Sequence, residues 1–240
     1  MAYQLADRDL AFLSHGDTRG VRLQLEYLKA ESLLREHGVR HAVLVMGSTR
    51  APRRDAYYRV AREFGRIVGR VPHAAIMTGG GPGIMEAANR GAFEVGGLSI
   101  GMNIDLPQAQ QANRYTTPGL SLRFRYFALR KLHFLLRARA MVAFPGGFGT
   151  FDELFETLTL VQTRKIKPLP VVLVGQAFWQ RAVDMEFLSA EGMIRPADRK
   201  LFCYAEGARA IWTSIRAWYH RAGEPVFPQR SASPSPSRSA

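Results

Sequence analysis

Cysteine is nearly missing from this chain of 240 residues. Cys203 stands alone, so no internal disulfide can form and nothing in the thiol content points to an oxidising compartment. A solitary cysteine of this kind is expected in the core as a small apolar residue. Acids are short as well, 20 against 33 lysines and arginines, which leaves a net charge of +13. Residues 1–40 balance six basic against six acidic groups, so the surplus falls on the body of the chain. Such a surface attracts polyanions in general. No helix-turn-helix, zinc-finger spacing or aromatic-plus-basic ribonucleoprotein pattern accompanies it, and specific nucleic-acid binding is not expected. Long apolar runs are absent, and MAYQLADRDLAFLSHGD places acids where a signal peptide carries its apolar stretch. The expectation is a cytoplasmic protein with no membrane partner. The six histidines (His15, His37, His41, His73, His133 and His220) lack ligand spacing, so no metal is expected, and no cofactor is called for. G-K-[ST] does not occur, and no G-x-G-x-x-G is complete. Those gaps exclude a Walker loop and the dinucleotide fingerprint of an NAD-dependent oxidoreductase.

What the chain does have is glycine in two places about 65 residues apart. MTGGGPGIMEAANRGA (Met77–Ala92) and FPGGFGTFDE (Phe144–Glu153) each follow an apolar strand pattern and open a helical one. A helix start offers unpaired N–H groups and a positive dipole end, and glycine lets an anion approach them, so each turn reads as a phosphate cradle. Around them strands and helices alternate. Strands are expected at His41–Ser48, Ala74–Met77, Leu98–Asn103, Leu120–Phe124, Met141–Phe144 and Leu169–Val174. Helices are expected at Gly20–His37, Pro52–Val68, Gly83–Val95, Arg125–Arg139, Thr150–Gln162, Ala177–Ala190 and Ala208–Tyr219. With 47% hydrophobic residues to fill a core, this is an α/β chain with one doubly wound, Rossmann-like parallel sheet and helices on both faces. Three parts are expected. Residues 1–40 form a helical extension with Val21, Leu25, Leu28, Leu33 and Leu34 on its apolar side. Residues 41–222 form the nucleotide-binding body, and residues 223–240 a disordered Ser/Pro-rich tail.

The candidate binding residues come from the strand ends and the two turns: Ser48, Gly79, Gly80, Gly81, Gly83, Met85, Glu86, Asn89, Gly146, Gly147, Gly149 and Thr150. Open α/β sheets take ligands at such ends. Glu86 and Asn89 stand one turn apart, facing the same way, and Ser48 has a turn cap as its plain alternative. Arg130 and Lys131 lie in an expected helix that holds Arg123, Arg125, Arg137 and Arg139 as well, with Arg123, Arg130 and Arg137 recurring every seven residues on one side. That stretch is either a solvated stripe or an arginine clamp for phosphate or carboxylate. Glu153 has two readings that exclude one another. Thr150-x-x-Glu153 is a capping box, which would turn the carboxylate back on the helix, or else Glu153 faces a ligand. The long segment NIDLPQAQQANRYTTPG is too long for a plain connector.

PGGFGTFDE (145–153) resembles the PGGxGTxxE motif of the Lonely Guy (LOG) family, and GGGPGIMEAANRGA (79–92) resembles its first glycine motif. FRYFALRKLHF (124–134) is similar to its arginine-lysine helix. The likeness spans roughly residues 40–205, with an N-terminal helix like that of the longer bacterial branch. It implies a phosphoribohydrolase that cleaves the N-glycosidic bond of cytokinin riboside 5′-monophosphates, or AMP, to free base and ribose 5-phosphate. Arg130 and Glu153 would be the catalytic pair, and a homodimer or larger homo-oligomer the assembly. A non-catalytic carrier of a nucleotide or phosphorylated cofactor is the alternative function.

Overall fold

The computed structural model describes residues 3–107 and 111–228. A short helix α1 (Leu10–Ser14) precedes α2 (Arg19–Glu36). The core then runs β1 (Ala42–Met46), α3 (Ala56–Gly69), β2 (Ala75–Thr78), α4 (Ile84–Glu94), β3 (Leu98–Ile104) and β4 (Ser121–Phe124). It continues through α5 (Phe127–Arg137), β5 (Ala138–Ala143), α6 (Phe148–Gln162), β6 (Val171–Val174), α7 (Gln176–Ala182), α8 (Met185–Ala190), β7 (Phe202–Ala205) and α9 (Ala208–Ala222). The seven strands form one parallel sheet in the order β4-β3-β2-β1-β5-β6-β7. Residues on β1 alternate between two cores, as the two-residue period of a strand requires. Ala42, Leu44 and Met46 pack with residues of α2, α5, α6 and α7, while Val43 and Val45 pack with α3, α4 and α9. The expected doubly wound α/β architecture is therefore present. Among the described residues no helix is long and apolar enough to cross a membrane.

Several local expectations are corrected. The helix expected over Ala177–Ala190 is broken in two: Val183 is extended, and Asp184 caps α8 by accepting the N–H groups of Glu186 (3.0 Å) and Phe187 (2.8 Å). Strand β7 was not anticipated. It is short, lies at the sheet edge, and carries Cys203 on its exposed side, so that cysteine is not a core residue. On α2 the expected apolar side is divided: Leu34 is fully buried in the core beside Ala30, whereas Val21, Leu25 and Leu28 are about half exposed. Arg123 sits on β4, paired with Asp105 at 2.7 Å, and does not share a helix with Arg130 and Arg137. Of the segment expected as a disordered tail, residues 229–240 lie outside the described residues. Before them, Arg139 donates to the carbonyls of Val226 (2.8 Å) and Pro225 (3.0 Å), and Phe227 stacks on Trp212.

Helices α3 and α4 approach at backbone distance. A Cβ on Gly91 would run into the carbonyl of Arg62, and one on Gly65 into that of Ala88. This contact fixes α4, whose N-terminus follows the first glycine turn. Adding a methyl against unyielding backbone forces the helices apart, a cost of about 1–3 kcal/mol. Gly91→Ala is accordingly expected to lower unfolding stability by that amount in urea titrations, and an unchanged midpoint would contradict the packing described.

Candidate functional site

The sheet order turns between β1 and β5, where the chain leaves to opposite sides and a crevice opens at the carboxyl ends. Ser48 holds its rim together through backbone bonds. Its N–H donates to Pro145 O (2.9 Å), in the second glycine turn, and its carbonyl accepts from Ile84 N–H (3.0 Å), just after the first. The Ser48 hydroxyl accepts from Arg50 N–H at 3.1 Å, which is the turn-capping role. Gly83, at φ +69, must be glycine, because a Cβ would strike the Ser48 carbonyl. Gly146 leaves room for the Thr150 side chain in the same way.

Helix α6 starts at Phe148 with Gly147 as its N-cap, and no side chain caps it. The N–H groups of Thr150 and Phe151 both return to Gly147 O (2.9 and 3.1 Å), leaving the first helical N–H groups, of Phe148 and Gly149, without intrahelical partners. Added side chains at Gly147 and Gly149 would meet nothing within 4 Å. The second turn is thus open, with the geometry a helix start offers to an anion. Because Thr150 lies inside the first turn and not at the cap position, the capping-box reading of Glu153 does not hold.

The crevice encloses a cavity of about 730 Å³. Its lining comes from the end of β1 (Met46 to Arg50), from Gly79 and Met85, from Ile104 and Leu106, from Phe127 and Arg130 on α5, and from Gly147–Phe151 and Glu153 on α6. Glu153 is 3% exposed, and its Oε1 lies 3.4 Å from Arg130 Nη2. Burial pushes the Glu153 carboxyl up to about 7; Arg130 and Lys131 pull it down, and Glu156 and Asp152 add to the rise. Burial also lowers the Arg130 guanidinium, against the pull of Glu153 and Asp152. The guanidinium is sandwiched by Phe127 and Phe134, 4.9 and 5.4 Å from their ring centres, and its Nε has no partner. A Cβ on Gly79 would stand 4.0 Å from Arg130 Nη1, so the first glycine turn ends against the same arginine. A buried carboxyl and a cation share the wall of one cavity, beside the free N–H donors of Phe148 and Gly149.

Residues 85–215 match the family described as "Possible lysine decarboxylase", more than half of the chain. The chain belongs to that family, which includes the LOG proteins. Among its relatives is the cytokinin riboside 5′-monophosphate phosphoribohydrolase LOG5 of Arabidopsis thaliana, 27% identical over 150 residues, which cover 58% of this chain and 61% of that protein. Another is the probable cytokinin riboside 5′-monophosphate phosphoribohydrolase LOGL9 of Oryza sativa subsp. japonica, 27% identical over 72% of this chain and 75% of that one. Two solved structures share the fold. The molybdenum cofactor carrier protein of Chlamydomonas reinhardtii has a TM-score of 0.52 at 20% identity, covering 75% of this chain and 99% of its own. The molybdenum cofactor binding protein of Rippkaea orientalis has a TM-score of 0.50 at 19% identity, covering 74% and 94%.

Within this LOG-family chain the residues singled out from sequence divide into two sets. Arg130, Glu153, Ser48, Gly79, Met85, Gly147, Gly149 and Thr150 come together around the cavity. Gly80, Gly81, Gly83, Glu86, Asn89, Lys131 and Gly146 are not part of its lining. Gly83 and Gly146 serve the turns. Lys131 points to Asp152 (2.7 Å) and Glu156 (3.2 Å). Glu86 and Asn89 do not face one way: Glu86 accepts from Arg53 (3.0 Å) and Tyr58 (3.0 Å), whereas Asn89 is fully buried. Asn89 accepts from Thr78 (2.6 Å) and from Asn113 (3.0 Å), and the Asn113 N–H donates to Gly80 O (2.8 Å). That network ties the long segment after β3 to the first glycine turn. Sequence reasoning missed the apolar wall of Met46, Ile104, Leu106, Phe127, Phe148 and Phe151, and the rim residues Thr49 and Arg50. Phe148 carried a signal, since an aromatic between the glycines of a cradle has no core to enter, and it is 96% exposed.

The elevated Glu153 carboxyl sets a sign for pH dependence. Between the unfolded value, near 4.5, and the folded value of about 7, the native state holds a proton that the unfolded chain has lost. Native stability therefore falls as pH rises through that window. The stability of Glu153→Gln relative to wild type is expected to grow by about 2–3 kcal/mol from pH 4.5 to 7.5 in denaturant titrations. A pH-independent difference would mean that Glu153 is solvated.

Proposed function

We propose that this chain is a nucleoside 5′-monophosphate phosphoribohydrolase, hydrolysing the N-glycosidic bond of AMP or N6-modified AMP to free base and ribose 5-phosphate. One observation carries the reading: Glu153 is buried on the cavity wall against Arg130, between two glycine turns, instead of capping its own helix. In this account the α6 cradle, Gly147 to Thr150, receives the 5′-phosphate on its free N–H groups and dipole end. Arg130 holds the phosphate or ribose so that C1′ meets Glu153. Breaking the C1′–N9 bond places positive charge on the sugar, as in other glycoside cleavages, and the carboxylate stabilises that charge. A carboxyl with its midpoint near 7 also suits the removal of a proton from the attacking water at neutral pH. The apolar wall of Met46, Ile104 and Leu106 supports a base, with or without an N6 substituent, as the group bound there.

The family's decarboxylase description does not fit these residues. That chemistry calls for a free lysine to hold pyridoxal phosphate, and Lys131, the lysine beside the cavity, is turned into ion pairs with Asp152 and Glu156. We also place a second copy of the chain against the rim, which gives the exposed Phe148 a partner, and the location in the cytoplasm. The three-part division into residues 1–40, 41–222 and 223–240 belongs to the same proposal.

The test is incubation with AMP and with isopentenyladenosine monophosphate, following base and ribose 5-phosphate by chromatography. Both products are expected, and Glu153→Ala should cut the rate by about 10²–10³-fold. Nucleotide that binds and stays intact would make the chain a carrier, and unchanged turnover in the variant would remove Glu153 from the mechanism.

A further inference from the structure

We infer that Glu26, on the N-terminal helix α2, is a positioning residue for the cavity: by capping α5 from outside it sets where Arg130 stands against Glu153. The inference rests on the roles proposed above for Arg130 and Glu153. It concerns a helix that lies before the family match, which begins at residue 85.

Helix α5 does not cap itself. Tyr126 occupies its N-cap position, and the Tyr126 side chain makes no capping hydrogen bond. The acceptor comes from about a hundred residues earlier. Glu26 Oε1 and Oε2 each accept from Arg125 N–H at 3.1 Å, and Oε1 also accepts from Tyr126 N–H at 3.1 Å. A carboxylate there pairs the N–H of the N-cap residue Tyr126, the first of the helix's orphan donors, together with that of Arg125 just before it, and faces the positive end of the helix dipole. Arg22, one turn earlier on α2, donates from Nε to the Tyr126 hydroxyl at 3.1 Å. At the far end of α5, Glu31 receives both Arg137 amino groups, at 2.7 and 2.9 Å. Two carboxylates on one helix hold both ends of another.

Arg130 hangs from the turn that Glu26 holds, since the Arg130 N–H donates to Tyr126 O at 3.2 Å. Its contact with Glu153, at 3.4 Å, is near the limit for a hydrogen bond, Nε has no partner, and the two rings that hold the guanidinium, Phe127 and Phe134, are themselves on α5, so where α5 stands decides where Arg130 stands. The outward stripe of α2 now has a reason. Arg22, Glu26 and Glu31 reach α5, joined by Tyr27 stacked on His133, and Val21, Leu25 and Leu28 are left outside.

The test compares full-length Glu26→Ala and Glu26→Gln with wild type by turnover of AMP and by carboxyl ¹³C NMR titration of Glu153, assigned with Glu153→Gln. Of the charges facing Glu153, Arg130 and Lys131 stand on α5 and lower its midpoint, while Asp152 and Glu156 stand on α6 and raise it. Only the α5 pair depends on Glu26. Glu26→Ala is therefore expected to lower kcat tenfold or more, about what an ångström of misplacement costs at least, and to shift the Glu153 midpoint upward. Glu26→Gln keeps an acceptor oxygen and should retain most of the activity and the midpoint, and the melting temperature of both variants should fall by only a few degrees. An unchanged Glu153 midpoint in Glu26→Ala overturns the inference, whether or not kcat falls. Should wild type release no base, the proposed function fails on its own, while the titration still decides the positioning role.

Discussion

The site is organised around a carboxyl group almost wholly withdrawn from solvent on the wall of the crevice. Glu153 has one cation within 4 Å and is 3% exposed, so the protein bears the cost of desolvating it without a close, bidentate partner in return. That arrangement holds only because neighbouring elements fix it: α6 begins early at Phe148, Gly146 admits the Thr150 side chain, Phe127 and Phe134 sandwich Arg130, and Ser48 ties both glycine turns to the loop after β1. Burial raises the Glu153 carboxyl against the pull of Arg130, the combination of desolvation and a charge partner in a cleft that marks a candidate site.

The two glycine turns look alike in sequence and do different work. The first is closed: Gly83 lies against the Ser48 carbonyl, and Asn113 and Asn89 join the turn to the segment after β3. The second is open, with free N–H groups and space over Gly147 and Gly149. Packing consumes one and leaves the other open. The surplus of arginine is likewise partly structural. Arg62, Arg66 and Arg90 all converge on Glu94, whose carboxyl they hold down to about 2 against the opposing effect of burial, bracing α3 against α4.

The architecture was legible because its strands are short, apolar and buried on both faces, a pattern that β1, β2, β5 and β6 share and that few alternatives produce. Arg130 and Glu153 were legible as candidates through the motifs around them. Whether Glu153 capped a helix was not, because Thr150-x-x-Glu153 has the same letters in either case. The answer depends on where α6 starts, which the packing of Thr150 against Gly146 decides. The outward stripe of α2 misled for a related reason: apolar periodicity marks a core face only when the neighbour is apolar, and α5 meets α2 with a bare helix end, Arg137 and His133. The short edge strand β7 and the break at Asp184 fell below what local pattern resolves. The apolar wall of the cavity could not be assembled at all, since Met46, Ile104, Leu106 and Phe127 come from separate elements and meet only in the fold.

The most direct test of the account is a crystal structure of Glu153→Gln with AMP bound. The 5′-phosphate is expected on the N–H groups of Phe148 and Gly149, the ribose C1′ against the side chain at position 153, and Arg130 in contact with the phosphate or ribose. AMP bound with its phosphate away from α6, or with its ribose out of reach of residue 153, would contradict it.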